Sequence, residues 1–174
     1  MMRATVMRRG GAAALALASL CCGAFADDAP ERWRFGDGES GQATAALLAT
    51  NKLSAGGGAL SYSPILTIAC DPGGEPHWRE WLWINDKISA DEAVTVRVTI
   101  DSDSFNERWA VRRGGKVLFR AGADGVAALA SAGRLSVSWR FGFLSGRGEA
   151  DFDLTGVRQA VGRIADACGT VPPS

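Results

Sequence analysis

Strict alternation between apolar and polar residues is the feature that most limits how this chain can fold. The run "AVTVRVTI" (93–100) places its three valines and Ile100 on one side and Thr95, Arg97 and Thr99 on the other. A period of two is expected of an antiparallel strand with one buried face. The runs "PILTIAC", "RLSVSWRF" and "GEADFDL" share the pattern, and the ambiguous stretch "QATAALLATN" favours a strand. The chain is therefore predicted to be rich in antiparallel β-structure.

Two connections between these runs carry local signals of their own. The stretch "RWAVRRGGKVLFR" (108–120) is typical of a β-hairpin, and Gly114-Gly115 can adopt the positive φ angles of a tight two-residue turn. A short helix or turn is predicted over residues 125–132. No linker or internal repeat divides the chain, which predicts one domain.

The C-terminal segment changes its period from two to that of a helix. In "LTGVRQAVGRIADACG" (154–169) the apolar residues and the cysteine fall on one stripe: Val157, Ala160, Val161, Ile164 and Cys168. Thr155 is the predicted N-cap and Gly169 the predicted C-cap. A helix that follows a series of strands predicts an α+β domain, with an antiparallel sheet or sandwich and a C-terminal helix.

The first 26 residues have the order of a secretory signal peptide. Arg3, Arg8 and Arg9 precede an alanine-rich apolar run that ends in Ala24-Phe25-Ala26, an A-x-A cleavage site. Residues 27–174 are then the exported globular domain. The residues before Cys21 and Cys22 fit a lipoprotein signal poorly, so lipid anchoring is the less favoured alternative. No later segment approaches 18 apolar residues, so no transmembrane segment is predicted in the mature chain.

Charge gives no support for a nucleic-acid partner. Cleavage removes three arginines from 19 basic residues and leaves 16 against 19 acidic ones. The remaining charges alternate in sign along the sequence, which is unlike the basic patches of nucleic-acid-binding proteins.

The number of cysteines in the predicted mature chain predicts one disulfide. Loss of residues 1–26 leaves Cys70 and Cys168, an even pair in an exported and oxidising context. Neither has a histidine or a second cysteine at ligand spacing, so a metal site is disfavoured. Because Cys70 lies on a predicted strand, a Cys70–Cys168 bond would staple the last helix to the sheet.

The stretch "EPHWREWLWIND" (75–86) contains three of the six tryptophans and the sole histidine. If it is a strand, Leu82 and Ile84 point to the core while Arg79, Trp81 and Trp83 share the opposite face. Two neighbouring indoles beside an arginine are a candidate binding site for sugar rings or a protein partner. The alternative is that a loop or the C-terminal helix covers this face and makes both indoles core residues. His77 is predicted to lie in the preceding loop.

Catalytic patterns are weak. A serine hydrolase would have to use His77, yet no G-x-S-x-G motif is present, and Ser145 lies in an ordinary turn sequence. Asp101 and Asp103 are paired carboxylates at the end of a strand, where such residues usually cap turns. The sequence predicts no catalytic residue, cofactor or metal, and leaves a small envelope hydrolase as a minor alternative.

Several of these motifs together resemble the VasI/TagO-like family of type VI secretion-associated exported proteins. The resemblance rests on Trp33, "LTIAC", "VTVRVTID", Trp109 and above all the closing block "FDLTGVRQAVGRIADAC". It spans roughly residues 33–168, and the glycine-rich insertions "SAGGGALSYS" and "DPGGEPHW" depart from it.

The resemblance implies an accessory protein of the bacterial envelope with no established enzymatic activity, and it supplies no catalytic residue to carry over. The predicted function is that of a non-catalytic periplasmic accessory or binding protein with an envelope protein as its partner, within a type VI secretion-like assembly. The alternative is a module that binds glycans or peptidoglycan fragments.

Overall fold

The structure is a computed structural model that describes residues 32–55, 58, 60–72, 77–90, 92–142 and 146–174. The predicted signal peptide, 1–26, lies outside the described residues. Within the described part the chain forms strands and two α-helices. The strands are β1 (Arg34–Asp37), β2 (Ala43–Leu48), β3 (Leu53–Ala55), β4 (Leu60–Tyr62), β5 (Ile65–Asp71), β6 (His77–Trp83), β7 (Ala93–Ile100), β8 (Asp103–Arg112), β9 (Val117–Ala121), β10 (Arg134–Arg140) and β11 (Arg147–Asp153). The helices are α1 (Ala123–Ala130) and α2 (Val157–Cys168).

Nine of the strands form one antiparallel sheet in the order β1-β2-β5-β6-β9-β8-β7-β10-β11, and β3 pairs with β4 in a separate hairpin. The sheet curls so that its two ends approach each other. The backbone N–H of Thr50, just after β2, donates to the carbonyl of Asp151 in β11 at 2.7 Å. The side chain of Asn51 bonds to the backbone of Glu149 and Asp151 at 2.8 and 2.9 Å. The fold therefore combines one curled antiparallel sheet with helices, which confirms the predicted fold class.

The alternating runs bury the faces that the sequence predicts. Val96 and Val98 of β7 are fully buried, and in the last two strands the buried hydrophobic side chains are Leu135, Val137, Trp139, Ala150 and Phe152. These side chains form the inner face of the sheet, and the polar residues between them form the outer face. The ambiguous stretch "QATAALLATN" contains β2, so the preference for a strand is confirmed.

The β8–β9 hairpin is confirmed, but its turn is longer than predicted. Arg112 pairs with Val117, which leaves four residues in the loop, three of them in a single turn of 3-10 helix. Gly114 and Gly115 have positive φ angles, 64° and 93°, as expected. Arg113 also has a positive φ, 50°, so a third residue takes part in the reversal. The prediction of a two-residue turn at Gly114-Gly115 is therefore wrong.

Both helices pack against the inner face. Helix α1 is the predicted short helix, shifted by two residues, and contacts β6, while α2 contacts β2 and β5. Gly169 caps α2 with a φ of 67°. The predicted N-cap is wrong, because Gly156 occupies that position. Thr155 instead donates its hydroxyl to Asp153 Oδ1 at 2.6 Å, which lowers the pKa of Asp153.

The predicted disulfide is confirmed: Cys70 of β5 and Cys168 at the end of α2 are bonded, with their Cα atoms 6.2 Å apart. Cys70 is fully buried on the inner face. The bond therefore fixes the C-terminal end of the last helix to a central strand of the sheet. None of the helices in the part of the chain described by the structure is long and apolar enough to span a membrane.

Candidate functional site

The outer face of β2, β5, β6 and β9 carries two adjacent rows of apolar and aromatic side chains. One row places Leu48, Ile65 and Trp83 side by side on three neighbouring strands. In the next row, Trp81 stands beside Phe119. We call these five residues the aromatic face. They become neighbours because four strands with different sequences pair in this register.

The three predicted site residues lie on this side of the sheet. Trp83 is 36% exposed, and Trp81 and Arg79 are half-buried, whereas their neighbours Leu82 and Ile84 are fully buried on the other side. The guanidinium of Arg79 pairs with the carboxylate of Asp71. Neither indole belongs to the core, because both helices cover the opposite face of the sheet. The structure thus brings the three predicted residues together, and their role in binding stays a prediction.

The aromatic face has charged groups at two of its borders. At one end, the guanidinium of Arg113 stands 5.9 Å from the centre of the Trp83 ring, and it also bonds to Glu39. At the other end, His77 and Arg79 line a shallow depression of about 470 Å³ that reaches Phe119. His77 is the first residue of β6, so its predicted position in a loop is wrong.

A buried ionic cluster that was not predicted from the sequence lies on the inner face behind the candidate site. Glu80 is 1% exposed and pairs with Arg120 of β9, which also bonds to Glu107 of β8 at 2.6 Å. Glu107 accepts a further hydrogen bond from the Trp109 indole at 2.9 Å. Burial raises the pKa of Glu80 despite its arginine partner. The sequence does carry a signal for a buried Glu80: in the alternation of β6, Glu80 falls on the same side of the strand as Trp78 and Leu82.

Helix α1 closes over this cluster. A Cβ atom at Gly125 would stand 2.5 Å from the Arg120 guanidinium, so the helix backbone lies directly against the ion pair. Perturbed carboxylates often mark active sites, but they also occur in structural ion-pair networks. A carboxylate with a raised pKa that is covered by a helix and held by an arginine fits the structural role.

The weak catalytic patterns gain no support from their surroundings. Asp101 accepts backbone hydrogen bonds from Gly133 and Arg134 at 3.0 and 2.9 Å, as expected of a carboxylate that caps a turn. Ser145 lies outside the described residues. Among the residues that are described, no group of three or more histidine, cysteine, aspartate or glutamate side chains could hold a metal ion.

Comparison with known proteins adds a likeness of fold. No family model matches the chain, and no curated protein matches it by sequence. The fold is similar to that of the invasion associated protein B from Bartonella henselae. That crystal structure superposes with a TM-score of 0.52, over 76% of this chain and 91% of the other, at 13% sequence identity. At such low identity the likeness concerns the fold alone.

Proposed function

We propose that this chain is a non-catalytic binding protein that contacts a protein partner through the aromatic face. The observation that carries the proposal is the row in which Leu48 and Trp83, 45% and 36% exposed, flank Ile65. Contiguous apolar surface on a folded protein marks interaction sites, and tryptophan beside arginine is the composition of binding hot spots. Arg79 and Arg113 supply the charged border of such a site.

We further propose that the partner is a protein of the bacterial envelope. The signal-peptide pattern of residues 1–26 supports export, and the Cys70–Cys168 bond suits the oxidising periplasm. The resemblance to the VasI/TagO-like family supports an accessory role in a type VI secretion-like assembly. The fold neighbour is described as invasion-associated, which names no activity.

Removal of one indole from the aromatic face is expected to weaken binding strongly without unfolding the protein. The Trp83→Ala variant should lose capture of its envelope partner from the periplasm, because a central tryptophan can contribute 2 kcal/mol or more, a loss of roughly thirtyfold in affinity. Its free energy of unfolding should fall by about 1 kcal/mol or less, because the side chain is partly exposed. Quantitative affinity capture and thermal melting measure the two effects.

The matched control is Phe105→Ala. Phe105 is an aromatic residue of similar exposure, 39%, that lies outside the aromatic face on β8. This variant should retain capture. Equal loss of capture in both variants, or full capture by Trp83→Ala, would contradict the proposed site.

A glycan or peptidoglycan fragment is the second candidate ligand, because Trp81 and Trp83 project from the same face two residues apart. Indoles in this arrangement can stack on sugar rings. A glycan ligand should quench the tryptophan fluorescence of the wild-type protein and raise its melting temperature when cell-wall sugars are added. Trp83→Ala should weaken both responses, whereas a protein ligand predicts neither response.

A further inference from the structure

Four arginines form a separate cluster on the outer face of β8, β7, β10 and β11. Arg140 and Arg147 are directly opposite each other across β10 and β11, and Arg108 stands opposite Thr95 across β8 and β7. The pairing of β7 with β10 ends at Arg97 and Ser138, and two residues further along this register Thr95 and Arg140 line the same cavity. One cross-strand row therefore contains three arginines, and Arg97 lies in the next row beside it.

All four arginines are exposed, and none forms an ion pair with another residue in the described ranges. The nearest acid on these strands by register is Glu149, opposite Ser138, and its carboxylate is 3.5 Å from the hydroxyl of Ser136. Like charges directly opposite each other in a sheet destabilise it. An arrangement that costs stability, and that the described part of the fold leaves uncompensated, suggests an anionic ligand.

Three of the four arginines, Arg97, Arg140 and Arg147, line a shallow cavity of about 260 Å³ together with Thr95, Asn106, Ser138 and Trp139. Thr95, Asn106 and Ser138 stand between the arginines and can donate hydrogen bonds to the same ligand. Guanidinium groups match the oxygens of phosphoryl groups in a planar, bidentate geometry. Four neighbouring strands span about 14 Å, which is longer than one phosphoryl group.

We infer that this arginine cluster binds a soluble ligand that carries several adjacent phosphoryl groups. The row is longer than one phosphoryl group, which favours a ligand with several of them. Its arginines favour phosphoryl oxygens because guanidinium groups bind them in a bidentate geometry. The side chains between the arginines, those of Thr95, Asn106 and Ser138, are polar and would not enter a bilayer. A soluble ligand is therefore favoured over a membrane surface. The site is distinct from the aromatic face and does not depend on its role.

Inorganic tripolyphosphate is a suitable probe for this inference. Calorimetric titration of the full exported chain should show saturable binding that weakens as salt is added. The double variant Arg140→Gln/Arg147→Gln should bind at least about tenfold more weakly, because it loses charge-assisted hydrogen bonds from two arginines. Both positions are exposed, so melting temperatures should confirm that the variant is folded.

The matched control is Arg34→Gln/Arg158→Gln, which removes two exposed arginines elsewhere and changes the net charge equally. This control should bind tripolyphosphate within about twofold of the wild type, because the contacted guanidinium groups remain. Equal weakening in both variants would show attraction by net charge alone and overturn the site.

Three other outcomes would also overturn the inference. The first is an absence of tripolyphosphate binding. The second is equally tight binding of hexaglutamate, which would indicate an acidic protein segment. The third is binding only to phosphatidylglycerol vesicles, which would replace the soluble ligand with a membrane headgroup.

Discussion

Removal of the disulfide is expected to lower the free energy of unfolding by about 4 to 5 kcal/mol. The bond joins residues 98 positions apart, so it closes a loop that contains most of the described chain. A cross-link over so long a loop strongly restricts the unfolded chain. The Cys70→Ala/Cys168→Ala variant should therefore melt on the order of 10 to 20 °C below the oxidised wild type. Urea unfolding with and without reductant measures the effect.

Reduced wild-type protein is the matched control, because it retains both sulfur atoms without the cross-link. It should unfold at nearly the same urea concentration as the double variant, and reductant should not change the variant further. A reduced protein as stable as the oxidised one would show that the packing of α2 alone holds the helix on the sheet.

The second large effect is expected at the buried ionic cluster. Arg120→Met should cost about 3 to 5 kcal/mol at neutral pH, because it leaves the buried Glu80 carboxylate without its cation. The double variant Glu80→Gln/Arg120→Met should regain most of that loss, since it removes the uncompensated charge as well. Denaturant unfolding of the wild type, both single variants and the double variant gives the coupling free energy. Additive effects of the two substitutions would contradict a coupled pair.

The pH dependence of Glu80→Gln tests the electrostatic part of this account. Burial raises the pKa of Glu80 in the folded state, so its contribution to stability is fully present below the unfolded pKa and is lost as pH rises through the folded pKa. Below the unfolded pKa the variant and the wild type should be closest in stability. As the pH rises through the folded pKa of Glu80, the variant should become the more stable of the two. The opposite trend would show that the Arg120 charge outweighs the cost of burial.

Much of the fold could be predicted from the sequence because its signals are local. The alternation in "AVTVRVTI" and "RLSVSWRF" determines which side of each strand is buried, whatever the order of the strands. The change of period in "GVRQAVGRIADAC" identifies the last helix in the same way. With only two cysteines in the predicted mature chain, the pairing had one solution. The N-cap of α2 was missed because Thr155 bonds to Asp153 instead of the helix.

The candidate sites could be predicted only in part, because they depend on register between distant strands. The period of two places Arg79, Trp81 and Trp83 on one face of β6. It does not reveal that Leu48, Ile65 and Phe119 extend that face from three other strands. The arginine cluster has the same origin: its members look solitary in the sequence and become neighbours only when β8, β7, β10 and β11 pair. The ion pair between Glu80 and Arg120 likewise forms only when β6 and β9 pair.

Site-specific photocrosslinking in the periplasm tests the central claim most directly, namely that the aromatic face contacts an envelope protein. A photoreactive phenylalanine derivative would replace Leu48 on that face or Val171 near the C-terminus, both exposed apolar positions. The account predicts a defined crosslinked adduct from position 48 that disappears when Trp83→Ala is added, and none from position 171. Equal adducts from both positions, or none from position 48, would contradict it.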